Sequence, residues 1–198
     1  VIKRWLNRFF EVKAGIMLAQ PTTLSRACND NIPTENGVLI RTSQYRETMP
    51  WRELAFDQRR LEGHTLYELW VGEQPVCYGW VAEPGTRVGI LHDLHLRVPD
   101  DGFYIWDCAT SPSARGKGYF CLLLRALVEG TYPDACQALV AVDTGNSASR
   151  RALQKAGFQP LFRYISARVM GRSLFSLAIR QGRPAPAQAE FDGIADPR

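Results

Sequence analysis

The chain has 198 residues, 45% hydrophobic and 22% charged, which allows one domain with a substantial core and excludes two ordinary domains, a disordered chain or a fibrous one. The formal net charge of +4, with a pI near 8.9, falls short of the concentrated basic patch of a nucleic-acid binder, so no nucleic-acid partner is expected. Five widely spaced cysteines (Cys28, Cys77, Cys108, Cys121, Cys136) form no C-x-x-C pair, and no membrane-length apolar run or signal-peptide pattern is visible, which together point to a cytoplasmic protein with reduced thiols and no metal.

Residues 1–19 set Ile2, Trp5, Leu6, Phe9, Phe10 and Val12 at helical spacing, with Lys3, Arg4, Arg8 and Lys13 opposite. This predicts an amphipathic helix, packed on the domain or available to a membrane surface or partner. Residues 20–36, rich in Thr, Asn, Asp and Pro, read as a loop. A strand is expected at 37–43, a helix at 50–62 with Pro50 near its first turn, and strands at 65–71, 75–81 and 88–97. The second half reads as a strand at 103–110, a helix at 116–129, a strand at 137–143 and a helix at 147–156 stopped by Gly157. Two strands follow, at 159–170 and 173–180, turned at Gly171. The Pro/Ala-rich stretch from 182 onward reads as a flexible tail. Three parts are therefore expected: 1–36, a folded domain at 37–181, and the tail 182–198. The order strand–helix–strand–helix–strand implies an α/β sheet with at least one parallel crossover.

One segment carries chemistry. Thr110-Ser-Pro-Ser-Ala-Arg-Gly-Lys-Gly-Tyr119 joins a strand directly to a long apolar helix through a glycine-rich turn. The first amides of a helix lack intrahelical acceptors and stand at the positive end of the dipole, so such a turn can cradle a phosphate. Arg115 and Lys117 add positive charge nearby. The segment is neither a Walker A loop nor a G-x-G-x-x-G fingerprint, and a turn of this kind is more often geometry alone. A second segment follows about thirty residues on. After a strand ending at Asp143 comes Asn146, then a short helix closing on Lys155-Ala-Gly157-Phe158.

Together the two segments resemble the GNAT superfamily of N-acetyltransferases. Its first signature, [QR]-x-x-G-x-[GA], is met by Arg115 and Gly118; its second, an Asn followed by a helix ending K-x-G-F, by Asn146, Lys155, Gly157 and Phe158. The resemblance covers 103–160 specifically and 37–102 weakly. It implies a mixed, mostly antiparallel sheet with a central pair of parallel splayed strands, flanked by helices, making up an acyltransferase domain at 37–181. Coenzyme A would lie between strands 103–110 and 137–143. Cys108, Ala109 and Thr110 would meet the pantetheine arm, and the amides of Gly116, Lys117, Gly118, Tyr119, Phe120 and Cys121, helped by Arg115, would hold the pyrophosphate. Asn146 would contact the pantetheine or nearby backbone.

The resemblance implies transfer from acetyl-CoA, or another acyl-CoA, to a small-molecule or peptide amine by direct attack. An acyl carrier protein donor, a non-catalytic coenzyme A-binding module and a homodimer stay open. Two departures stand out. Phe120 takes the place of the signature's second small residue, and Leu153 takes the place of a tyrosine that protonates the leaving thiolate in many relatives. Tyr119, Tyr164 or a water are the alternatives for that acid. Tyr104 stands where a relative's glutamate would act, leaving His95 and Asp107, with His92 beside them, as candidate bases. Cys108 reads as a buried apolar cysteine before it reads as a nucleophile. The strand aromatics Tyr67, Trp70, Tyr78, Trp80, Tyr104 and Trp106 read as core, with an acyl or acceptor lining as the functional alternative.

Overall fold

The computed structural model describes residues 10–22, 31–34, 37–42, 56–91, 93–132 and 134–196. The elements run β1 (Phe10–Pro21), β2 (Asn31–Thr34), β3 (Gly37–Thr42), α1 (Phe56–Leu61), β4 (His64–Val71), β5 (Gln74–Ala82), β6 (Arg87–Leu91), β7 (Leu94–Arg97) and β8 (Gly102–Thr110). They continue with α2 (Tyr119–Gly130), β9 (Gln137–Asp143), α3 (Ser147–Ala156), β10 (Gln159–Val169), β11 (Arg172–Arg180), β12 (Arg183–Pro186) and α4 (Ala187–Ala195).

Ten strands form one sheet in the order β12-β11-β10-β1-β9-β8-β5-β4-β3-β2, while β6 and β7 make a separate hairpin. Every described pairing in the large sheet is antiparallel except β8 with β9. This is the mixed sheet with one central parallel pair that the resemblance implied. The segment 88–97, expected as one strand, bends back on itself as β6 and β7, with the turn at Asp93.

Helices α2 and α3 cover one face of the sheet. Leu123, Leu124, Leu127 and Val128 of α2 bury against Cys77, Val81, Phe103, Ile105, Val140 and Phe158. The other face carries α4 and the β6–β7 hairpin, packed over Met17, Tyr104, Leu139, Phe162 and Tyr164. Further along that face, Phe56 of α1 closes a small aromatic cluster on Leu66, Tyr78 and Trp80. The aromatic pair Tyr78/Trp80 thus shares one strand face as its spacing required.

Three expectations are corrected. The helix read at 1–19 is strand β1 from Phe10 onward, and β1 lies between β9 and β10; residues 1–9 are outside the described set. The physical reason is burial on both faces. Ile16 and Leu18 enter the core under α2 and α3, while Met17 enters the core under α4. A strand buried on both sides is a continuous apolar run with no alternation to mark it, while Phe10 and Val12, the described members of the helical stripe, stand half-exposed on β1. The stretch 20–36, read as a loop, contains the end of β1 and the short β2. The third correction is the tail. Residues 183–186 add the edge strand β12, and α4 follows with Ala187, Phe191 and Ile194 buried. The prolines at 184 and 186 suit an edge strand, where missing donors blunt further pairing. The first part of the helix expected at 50–62, including Pro50, and His92 lie outside the described residues.

Candidate functional site

Strands β8 and β9 pair in parallel from Gly102↔Gln137 to Ile105↔Val140, and the ladder stops there. Beyond that point each strand keeps only its outer neighbour. Trp106, Ala109 and Thr110 pair with β5, and Ala141, Val142 and Asp143 pair with β1. The sheet therefore forks, and beyond Ile105 and Val140 the two strands no longer pair with each other. An extended ligand can enter such an opening and pair with the backbone as an added strand would.

A cleft of about 630 Å³ lies beside the fork, bounded by the end of β8, the start of α2 and one face of α3. That volume suits a small-molecule site. The approach to α2 turns twice through left-handed backbone, at Gly116 (φ 77°) and Gly118 (φ 85°), and a Cβ at either would meet nothing within 4 Å. The open space stands over the first amides of a twelve-residue helix whose N-cap, Gly118, offers no side-chain acceptor. By contrast α3 is capped: Asn146 Oδ1 accepts from the Ser149 amide at 3.1 Å. Both helices border the cleft, and α2 is the one that brings it an uncapped start, with amide donors and a dipole suited to an anion.

Of the eleven residues singled out for cofactor binding, Cys108, Ala109, Thr110, Arg115, Gly116, Gly118, Tyr119, Phe120, Cys121 and Asn146 line the cleft; Lys117 is exposed and does not. Phe120 is accommodated because it packs on the core under α2. Since Asn146 Oδ1 serves the cap, its Nδ2 is the side-chain group left for a ligand. Sequence reasoning missed Arg151 and Lys155, which line the opposite wall from α3. Their i, i+4 spacing was the available signal, since it places both on one helix face. With Arg115 they make three cations on a cleft that no carboxylate lines among the described residues, a charge pattern matched to a multiply phosphorylated ligand.

The candidate acids and bases separate. Tyr119 lines the cleft. Tyr164 is buried under α4, and burial, then the Asp143 charge, pushes its hydroxyl far above the usual tyrosine range. Tyr104 is fully buried and shifted further the same way, by burial first and Tyr164 second, against a lowering hydrogen bond from the Ala141 backbone. Both stay neutral at physiological pH. Leu153 is buried in the core. His95 does not join the cleft: it stands exposed on β7, tied to α4 through Gln188 at 3.0 Å from both its N–H and its carbonyl, with Nδ1 3.0 Å from the Asp93 carbonyl. Asp107 lies on β8 next to the cleft residues and is paired with Arg59 of α1 at 2.5 Å. Cys108 donates weakly to the Trp106 carbonyl at 3.5 Å and packs against the core under α2. The neighbouring Cys77 thiol is pushed up to about 12, chiefly by burial. The four described cysteines are free, and the described residues contain no cluster of three or more His, Cys, Asp or Glu that could hold a metal ion.

His64 was not singled out from the sequence. It is 4% exposed, meets Trp106 edge-on at 5.1 Å between ring centroids, and its Nδ1 has no hydrogen-bond partner. Burial holds its pKa below 6.5, with Glu62 opposing that shift. The unfolded chain then binds the extra proton more readily, so stability is lost as pH falls from about 6.5 toward the depressed folded value and is level below it. The thermal midpoint is expected to drop between about pH 7.5 and about pH 5.5, and His64→Gln to reduce that drop. Equal pH dependence in the two proteins, measured by circular dichroism melts, contradicts the assignment.

A sheet forked at its only described parallel pair, with an uncapped helix at the mouth of the fork, defines an α/β protein of the split-sheet kind. A model of the acetyltransferase (GNAT) family matches residues 40–158, more than half of the chain, and the chain belongs to that family. Solved structures agree at the level of fold. A GNAT-family acetyltransferase of Novosphingobium aromaticivorans superposes with a TM-score of 0.51 at 10% identity, covering 80% of this chain and 64% of its own. A GNAT-family acetyltransferase of Colwellia psychrerythraea gives 0.51 at 14% identity, covering 81% and 57%. A conserved protein of unknown function from Staphylococcus epidermidis gives 0.51 at 13% identity, covering 85% and 66%. The chain thus spans less than two thirds of the length of each. No curated protein matches the chain. Among the described residues no helix is long and apolar enough to cross a membrane.

Proposed function

We propose that this chain is a cytoplasmic N-acyltransferase that moves an acetyl group from acetyl-CoA to an acceptor amine by direct attack within a ternary complex. The observation that carries the reading is the fork after Ile105 and Val140, with the uncapped start of α2 at its mouth. The diphosphate would sit on the amides of Tyr119 to Cys121, with Arg115, Arg151 and Lys155 around it. The pantetheine arm would extend along Cys108 to Thr110, and a main-chain amide there would polarise the thioester carbonyl. Catalysis would rest on alignment: holding amine and thioester together removes most of the entropic part of the barrier. Of the tyrosines open as the thiolate's acid, Tyr119 is the one in the cleft.

The three-cation wall favours free coenzyme A, with its diphosphate and 3′-phosphate, over a carrier-bound arm that bears a single phosphate. The test is calorimetric titration with acetyl-CoA, followed by thiol-release assays over small amines, amino acids and peptides. Tight acetyl-CoA binding with acceptor-dependent thiol release supports the reading. Binding without turnover over a broad panel supports a non-catalytic module. Turnover only with acyl carrier protein donors replaces the donor assignment.

A further inference from the structure

We propose that Asp107 is a positioning residue, held by Arg59 to keep a bulge in β8 that sets which backbone groups of Cys108–Thr110 face the cleft. The pairing of β5 with β8 is regular through Trp80↔Trp106 and resumes at Tyr78↔Ala109. Gly79 alone therefore stands opposite both Asp107 and Cys108, the two-against-one count of a β-bulge. Asp107 makes the extra step with φ at 41°, a left-handed conformation in a residue other than glycine. Such strain persists only where the surroundings over-determine it.

Here they do. The Asp107 carboxylate, 9% exposed, meets the Arg59 guanidinium, 18% exposed, at 2.5 Å. That guanidinium also lies over Trp80 at 5.0 Å and Trp106 at 4.5 Å to the ring centroids. Two aromatic faces and a carboxylate fix one cation from three sides, which ties α1 to β8 at the bulge. Glycine suits the facing position 79, because a Cβ there would come within 2.9 Å of Cys108 Sγ and the thiol would have to shift.

One inserted residue reverses the alternation that follows it. Trp106 packs with the aromatic cluster near α1, whereas Cys108 faces Gly79 and the core under α2. In an unbulged strand residues 106 and 108 would share a face. The bulge therefore decides which residues after it pair with β5 and which turn their main-chain groups toward the fork. A carboxylate committed to Arg59 and absent from the cleft lining serves this role rather than proton transfer.

The ligand in this inference rests on the acyl-CoA reading; the bulge geometry does not. The test uses Asp107→Ala, Asp107→Gly, Arg59→Leu and the double variant Arg59→Leu/Asp107→Gly. Acetyl-CoA affinity by calorimetry is expected to fall about tenfold in Asp107→Ala and Arg59→Leu, and to stay within about twofold in Asp107→Gly, since glycine takes φ of 41° without strain. Arg59→Leu should then cost little more in the Asp107→Gly background. Adenosine 3′,5′-bisphosphate, which lacks the arm, should bind all four alike. Amide exchange followed by NMR gives a second readout needing no ligand: protection of the β5–β8 pairs around Ala109 should fall in Asp107→Ala and Arg59→Leu and return in Asp107→Gly. Unchanged protection in Asp107→Ala, or loss in Asp107→Gly equal to that in Asp107→Ala, overturns the positioning role. Wild-type protein that ignores acetyl-CoA while the exchange pattern holds instead removes the acyl-CoA reading and leaves the bulge clamp standing.

Discussion

Gly118→Glu is expected to weaken acetyl-CoA binding by about 100-fold or more, near 2.7 kcal/mol, while the thermal midpoint falls by only a few degrees. Three effects add. Gly118 holds φ at 85°, so any other side chain carries backbone strain of about 1–3 kcal/mol. The new side chain enters open space, since nothing lies within 4 Å of where its Cβ would be, and that space is the anion's place in the cradle. Most important, a carboxylate at the N-cap can itself accept from the second and third helical amides, as an acidic cap does. The variant would thus carry an internal competitor for the phosphates, with like-charge repulsion against whatever remains outside. Gly118→Ala separates the terms: it keeps the strain without the charge, and a loss under about tenfold is expected. Calorimetry of the three proteins against acetyl-CoA checks this. Gly118→Glu binding at wild-type strength removes the start of α2 as the phosphate site.

Phe191→Ala is expected to destabilise the protein by about 3–5 kcal/mol. For a chain of this length that is roughly 10 °C in thermal midpoint. Phe191 is fully buried in α4 and meets two rings edge-on, Phe162 at 5.2 Å and Tyr164 at 5.3 Å between centroids. Truncation would leave a cavity against both, in a core layer that also holds Leu139 of β9, a strand of the fork, and Met17 of β1 beside it. The Arg180–Glu190 bridge at 2.9 Å between β11 and α4 is half-exposed on the arginine side and adds little. Urea unfolding monitored by fluorescence gives the number. A change under about 0.5 kcal/mol would mean that the helix is not docked and that 182–198 behaves as the frayed tail its composition suggests.

Much of the cleft was legible because its signals are local. The strand at 137–143 and the helix at 147–156 match β9 and α3 residue for residue. The glycine pair at 116 and 118 announces a left-handed approach to an uncapped helix wherever the chain goes afterwards. The aspartate on β8 was legible as a residue but not as a partner, because nothing in its neighbourhood in sequence names Arg59, 48 positions earlier. His95 looked plausible because it precedes β8 by few residues. The β6–β7 hairpin, however, turns it away from the fork and onto α4.

By itself, then, the sequence determined the turn chemistry, the helix stripes and the strand–helix–strand order of residues 103–160, all of which depend on contacts within a few residues. Tertiary structure alone decided three things. It inserted β1 between β9 and β10, docked α4 on the reverse face, and set the bulge at Asp107 against α1. Each depends on partners far away along the chain, and an apolar run or a Pro/Ala-rich tail shows its conformation only when the surface that buries it is in place.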